Sequence, residues 1–220
     1  MIQQSTLKFL KSLSKHNNRD WFLANKDKYD LAKADYLLFV EEVLNGIQKT
    51  DNTLAELVPK QCVFRINRDV RFSKNKDPYK TNFGASFSKG GKKIQCAGYY
   101  FHLEPGASFI GGGLWMPMAP ELKKVRQEID YCFKEFSSIL KQKKFQTNFG
   151  TLDSSNKLVR PPKDYEIDNP AIEYLKLKSF IVSLPITDAE LLDKQLVKKT
   201  ITAFETMTPF ISFLNRAIDI

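Results

Sequence analysis

Histidine and cysteine are scarce in this 220-residue chain: two histidines (His16 and His102) and three cysteines (Cys62, Cys96 and Cys132). Two distant histidines without an H-E-x-x-H run argue against a histidine-rich catalytic zinc site, and scattered cysteines without C-x-x-C exclude a zinc ribbon. No metal ligand set is therefore assigned, although a carboxylate-only site stays open. An odd number of widely spaced cysteines reads as reduced thiols in a cytoplasmic protein. No apolar run approaches the ~20 residues that span a bilayer, so no membrane segment is expected. The opening residues, Met1 to Thr6, lack the basic segment and apolar stretch of a signal peptide. Also missing are the G-x-S-x-G elbow of α/β-hydrolases, both glycine-rich phosphate fingerprints and the glycine-aromatic core of an RNA-binding RRM.

What is present is a globular composition. Hydrophobic residues make up 42%, with 17 Phe, 8 Tyr and 2 Trp, enough to bury a core without disulfides. No linker, repeat or low-complexity tract divides the chain, so residues 1–220 read as one domain. The first third is helical: Ser5 is placed as an N-cap ahead of Leu7, Leu10 and Leu13, and Asn17-Asn18 breaks that helix. A second apolar face then runs from Tyr29 to Ile47 at helical spacing. The middle third alternates as strands, at 63–72, 82–88, 94–103 and 108–113, with Lys89-Gly90-Gly91-Lys92 as a hairpin turn and Gly111-Gly112-Gly113 as a turn, a bulge or a close backbone approach. The last third returns to helix, with Pro120 in a first turn, a strand at 180–184, and Thr187-Asp188-Ala189-Glu190 as a capping box opening a final helix that Pro209 breaks. These segments sum to an α+β fold: an antiparallel sheet of about four to five strands packed by N- and C-terminal helices.

Charge placement is the strongest functional signal. The formal net charge is +9, and residues 65–93 hold nine basic side chains against Asp69 and Asp77. A local excess of this kind implies an acidic partner more strongly than a high isoelectric point alone, although a solvated basic face is the competing explanation. In the run from Phe64 to Lys80, an extended chain would send Phe64, Ile66, Val70 and Phe72 toward a core. Arg65, Asn67, Asp69 and Arg71 would then form a row on the other face, with Arg68 as the exception. Such a row offers forked donors to phosphate or carboxylate, and Ser73, Lys74, Lys76, Tyr79 and Lys80 follow on a loop. An Arg–Asp ladder stabilising an exposed face is the structural alternative.

The same run carries a family resemblance. Phe64 to Lys80 is similar to the pattern F-R-I-x-R-D-x-R-F-S-x-x-K-x-P-Y-K of the bacterial and fungal family called domain of unknown function twenty-four sixty-one. Further similar elements are Asn17 to Phe22, Gly98 to His102, Gly112 to Pro117 and Lys176 to Phe180, so the resemblance covers nearly the whole chain. Asn67 departs from the pattern, where an aromatic is common. The resemblance implies a single domain and brings no reaction.

Three further residues join the candidate site. Tyr100 and His102 share a strand face, and His102 or Asp69 is the candidate for moving a proton. Arg126, on the helix that follows, is a candidate anion ligand. Together, Arg65, Arg68, Arg71, Ser73, Lys76, Tyr79, Lys80, Tyr100 and Arg126 read as the binding set for an anionic small molecule bearing phosphate or carboxylate. Nucleic acid on a basic sheet face and a scaffold domain with a structural Arg–Asp network are the alternatives. Whether the protein is an enzyme, and with what cofactor, is left open by the residues.

Overall fold

A computed structural model of the chain describes residues 1–91 and 94–219. The N-terminal helices are α1 (Gln4–Lys15), α2 (Arg19–Ala24) and α3 (Lys26–Ile47). A single 3₁₀ turn (Asn52–Leu54) and the short α4 (Pro59–Cys62) lead toward the sheet. Capping differs from the sequence expectation. The cap of α1 is Gln3 rather than Ser5, and the Asp35 carboxylate accepts from both the Gln3 N–H and the Thr6 hydroxyl. Asn18 does more than interrupt: its side chain accepts from the Trp21 N–H and starts α2.

Strands β1 (Phe83–Phe87), β2 (Gly98–Leu103), β3 (Ser108–Leu114) and β4 (Phe180–Ile186) form one antiparallel sheet in sequential order. Between β3 and β4 run α5 (Ala119–Tyr131), α6 (Phe133–Lys141), α7 (Lys143–Phe149) and α8 (Ile172–Leu175), and after β4 come α9 (Asp188–Leu191) and α10 (Leu196–Ala217). The architecture is α+β, with the sheet in mid-chain and helices from both ends packed against it.

Three sequence expectations are corrected. Residues 63–72 form no strand; their ladder pairing is confined to the isolated bridges Val63–Ala85 and Asn67–Tyr79. Phe72 is accordingly 96% exposed and Phe64 is 36% exposed, while Ile66 is buried. The long aromatic strand is shorter than its alternating pattern: it starts at Gly98, whereas β1 ends at Phe87, so the two strands are not joined by a tight hairpin. Lys92 and Lys93 lie outside the described residues. The glycine triplet continues β3 rather than turning, paired with β4 from Gly111–Ser183 to Gly113–Ile181. A Cβ on Gly113 (φ +124°) would lie 1.9 Å from the Phe180 carbonyl oxygen, so the close-approach reading is the one the packing requires.

Pro209 does not break the last helix. It sits inside α10 on an exposed position, so the hydrogen bond it forfeits faces solvent, while burial of Phe210, Ile211, Phe213 and Leu214 holds the helix past it. The capping box at Thr187 is present, but it opens the four-residue α9 instead of α10.

The sheet's two faces differ in kind. Phe83, Ala85, Phe87, Tyr99, Phe101, Leu103, Ile110, Leu114, Phe180 and Val182 are buried on the inner face. There Phe101 meets Phe39 of α3, and Tyr99 stacks on Phe204 of α10. The Tyr99 hydroxyl also donates to the buried Asp51 carboxylate, which accepts from Thr53 as well. The alternate positions, Gly84, Ser86, Tyr100, His102, Phe109, Ser183 and Pro185, point away from those helices, and the last two are exposed.

Candidate functional site on the outer sheet face

Three residues at alternate positions, Tyr100, His102 and Glu104, line up because a strand repeats its facing every second residue. The Tyr100 hydroxyl lies 3.2 Å from His102 Nδ1, and His102 Nε2 lies 3.0 Å from Glu104 Oε2. The other carboxylate oxygen, Oε1, accepts from the Thr81 hydroxyl at 2.7 Å. With Glu104 ionised and the ring neutral, Nε2 carries the proton and Nδ1 accepts from Tyr100. His102 stacks on Phe109 at 4.8 Å and its side chain is only 14% exposed, so the ring is held on both nitrogens and one face.

Burial first, and the Glu104 charge second, push the Tyr100 hydroxyl up to about 12, so it keeps its proton at neutral pH. Partial burial works to raise Glu104, but hydrogen bonds from His102 and Thr81 prevail and leave it below the ordinary carboxylate range. The row therefore holds a neutral phenol at one end and an anion at the other, with imidazole between.

Gly84, the β1 partner of His102, makes room for the phenol. A Cβ there would lie 2.4 Å from the Tyr100 hydroxyl oxygen, so Tyr100 reaches across β1 toward the sheet edge. At that edge Phe64 donates its backbone N–H to the Gly84 carbonyl and sets its ring edge-on to Tyr100 at 6.3 Å. The Lys80 ammonium stands 5.4 Å from the Phe64 ring centroid. Tyr100, His102 and Lys80 are thus brought into one neighbourhood, with Phe64 between lysine and phenol.

The rest of the basic segment folds on itself. Its base is closed by Lys80 N–H to the Ile66 carbonyl and Arg68 N–H to the Pro78 carbonyl. Arg68 donates from its guanidinium to the Asp77 carbonyl and to Ser73 Oγ, and Lys76 donates to the Val70 carbonyl. Arg71 makes a forked pair with Asp69, the two groups being 76% and 45% exposed, and that pair holds Asp69 below its usual range. Arg65 is exposed and close enough to Asp69 to lower it further. Tyr79 is buried: its ring stacks on Phe22 at 3.9 Å, and Asn17 clamps its backbone through both N–H and C=O.

Arg126 belongs to a different region. It is partly buried on α5 and donates to the Leu177 carbonyl, and burial lowers its pKa. Its Nε is enclosed without a hydrogen-bond partner. Among the described residues, no three His, Cys, Asp or Glu side chains gather as a metal-binding group.

A family model described as a conserved hypothetical protein, DUF2461, matches residues 5–213. The chain belongs to that family. The matched span contains the whole of the row and the basic loop, and family membership carries no reaction with it. Comparison with curated proteins and with solved structures gave no match.

The sequence pattern places Tyr100 and His102 on one face and does not single out Glu104, Thr81 or Gly84. The signal for Glu104 was there, since it stands two residues beyond His102 in the same alternation. Thr81 and Gly84 lie on a different strand and its approach, and only the pairing of β1 with β2 brings them in.

Proposed function

We propose that the protein binds a small anionic molecule at the β1 edge of the outer sheet face and exchanges a proton with it through Tyr100. The observation that supports this is the Glu104–His102–Tyr100 row, with a lysine near its phenol end. A bound ligand that gives a proton to the Tyr100 oxygen lets the phenol pass its own proton to His102 Nδ1. The resulting imidazolium faces the Glu104 carboxylate, and the reverse transfer restores the row. Lys80 and Arg65 supply positive charge for the ligand, while Arg68, Arg71 and Lys76 hold the loop that carries them. The reading treats residues 1–220 as one domain, in keeping with a single hydrophobic cluster that runs from Ile2 to Ile218. It also places the protein in the cytoplasm, in keeping with its three free cysteines.

A nucleic-acid face is the weaker reading, because none of the four strands carries a lysine or arginine. A backbone crossing the sheet would meet no cation on the strands themselves. The test is a titration of the protein, followed by NMR of the His102 and Tyr100 rings, with inorganic phosphate, small phosphorylated and carboxylated metabolites, and single-stranded oligonucleotides. Saturable ring shifts with a small anion, weakened by roughly tenfold or more in Lys80→Ala, support the proposal. Rings that respond to none of the small anions sink it, and a response to oligonucleotides alone reverses the ranking.

A further inference from the structure

Helices α1, α2 and α3 frame an open-sided cavity of about 380 Å³, with Ser5, Lys8, Ser12, Lys28 and Leu31 exposed around it. Ser5, Lys8, Phe9 and Ser12 stand at i, i+3, i+4 and i+7 of α1 and form one wall. Trp21 and Asn25 come from α2 and its C-terminal cap, and Lys28, Leu31 and Ala32 come from α3. The floor is apolar: Phe9 and Ala32 are buried and Trp21 packs against Phe9 at 6.1 Å. Leu31, at 72% exposed, stands as an apolar rim with nothing folded over it among the described residues.

The polar lining has one sign. Lys8 and Lys28 both line the cavity and no carboxylate does. Lys28 donates to Asn25 Oδ1, and Lys8 makes no hydrogen bond or ion pair among the described residues. Of the acids on these helices, Asp35 is engaged with Gln3 and Thr6 and Asp30 with Lys26, while Asp20 and Asp27 lie beside lining residues without joining the lining. Ligand sites commonly occupy ~300–1,000 Å³, with an apolar lining and a few convergent polar groups. An apolar floor under two ammonium groups matches one ligand chemistry, an apolar body with an anionic head.

We infer that this three-helix cavity is a binding site for a small amphiphilic carboxylate, seated with its hydrocarbon on Phe9, Trp21 and Leu31 and its carboxylate between Lys8 and Lys28. The site is separate from the outer sheet face and does not depend on that proposal. The chain has two tryptophans, so Trp115→Phe leaves Trp21 as the sole indole reporter. Octanoate added to that variant is expected to change Trp21 fluorescence saturably, while inorganic phosphate leaves it silent. Lys8→Glu with Lys28→Glu should weaken octanoate by roughly tenfold or more, the usual worth of charge-assisted contacts, and leave the response to octanol unchanged. No saturable response to octanoate, or equal affinity in the double variant, overturns the inference. Self-association abolished by Leu31→Glu, in protein that does not take up octanoate, overturns it in favour of a second copy covering the cavity.

Discussion

Replacing Gly84 by alanine adds one methyl group at the point where the Tyr100 phenol crosses β1. The new carbon would lie 2.4 Å from the hydroxyl oxygen and 3.1 Å from the ring carbon that bears it. Relief requires the hydroxyl to retreat by about 1 Å toward ordinary contact, which stretches its 3.2 Å approach to His102 Nδ1 beyond hydrogen-bonding range. The lost hydrogen bond costs about 0.5–1.5 kcal/mol. Overpacking adds about 1–3 kcal/mol. Against this, alanine restricts the unfolded chain and returns about 0.4–1 kcal/mol. The net expectation is a loss of about 0.5–4 kcal/mol, or a fall in Tm of very roughly 1–16 °C for a chain of this size. Urea denaturation of Gly84→Ala, Tyr100→Phe and the double variant measures it. Removing the hydroxyl takes away the closest contact, so the two changes should couple by about 0.5 kcal/mol or more in the sense of relief. A cost of less than ~0.5 kcal/mol for Gly84→Ala, or strict additivity in the cycle, refutes the placement of Tyr100 across β1.

Other perturbations address separate parts of the structure. Asp51→Ala removes the acceptor shared by the Tyr99 hydroxyl and the Thr53 donors, leaving Tyr99 its contact with Thr208 Oγ1, and should lower the free energy of urea unfolding by roughly 1.5–3 kcal/mol, more than Tyr99→Phe does. Pro209→Ala restores a donor inside α10 at an exposed position, so stability should rise by about 1–2 kcal/mol, read from the same assay; a loss would mean the helix is shaped around the proline. Glu104 has a depressed folded pKa, so its contribution is complete above the unfolded carboxylate value and is lost as pH falls through the folded value. Thr81→Ala should therefore flatten the acid limb of a stability-against-pH curve below pH ~4.5, and an unchanged limb would count against the Thr81 hydrogen bond. Arg71→Ala removes an exposed ion pair and should leave the midpoint of urea unfolding unchanged within error.

Local pattern alone determined much of this protein. The apolar spacing of Leu7, Leu10 and Leu13 placed α1, the Tyr29–Ile47 face placed α3, and alternating or apolar runs placed β1, β2, β3 and β4 to within a few residues. These features are short-range: they depend on side-chain periodicity and backbone preference, which neighbouring residues set. The run from Phe64 to Phe72 shows where that logic stops. It alternates like a strand, but its pairing is limited to the Phe64 N–H bond to Gly84 and an isolated bridge at Asn67, and Arg68 donates to a carbonyl of the loop itself. A strand requires a partner edge, and no local pattern can report whether one is free. The outer-face row was decided the same way. Tyr100, His102 and Glu104 share a facing that the sequence contains, whereas Thr81, Gly84, Phe64 and Lys80 join them only because β1 pairs with β2 and the 64–80 loop closes beside it. Hydrogen-bond register between segments distant in the chain is a property of the folded whole, so the surroundings of the Tyr100–His102–Glu104 row emerged from tertiary structure.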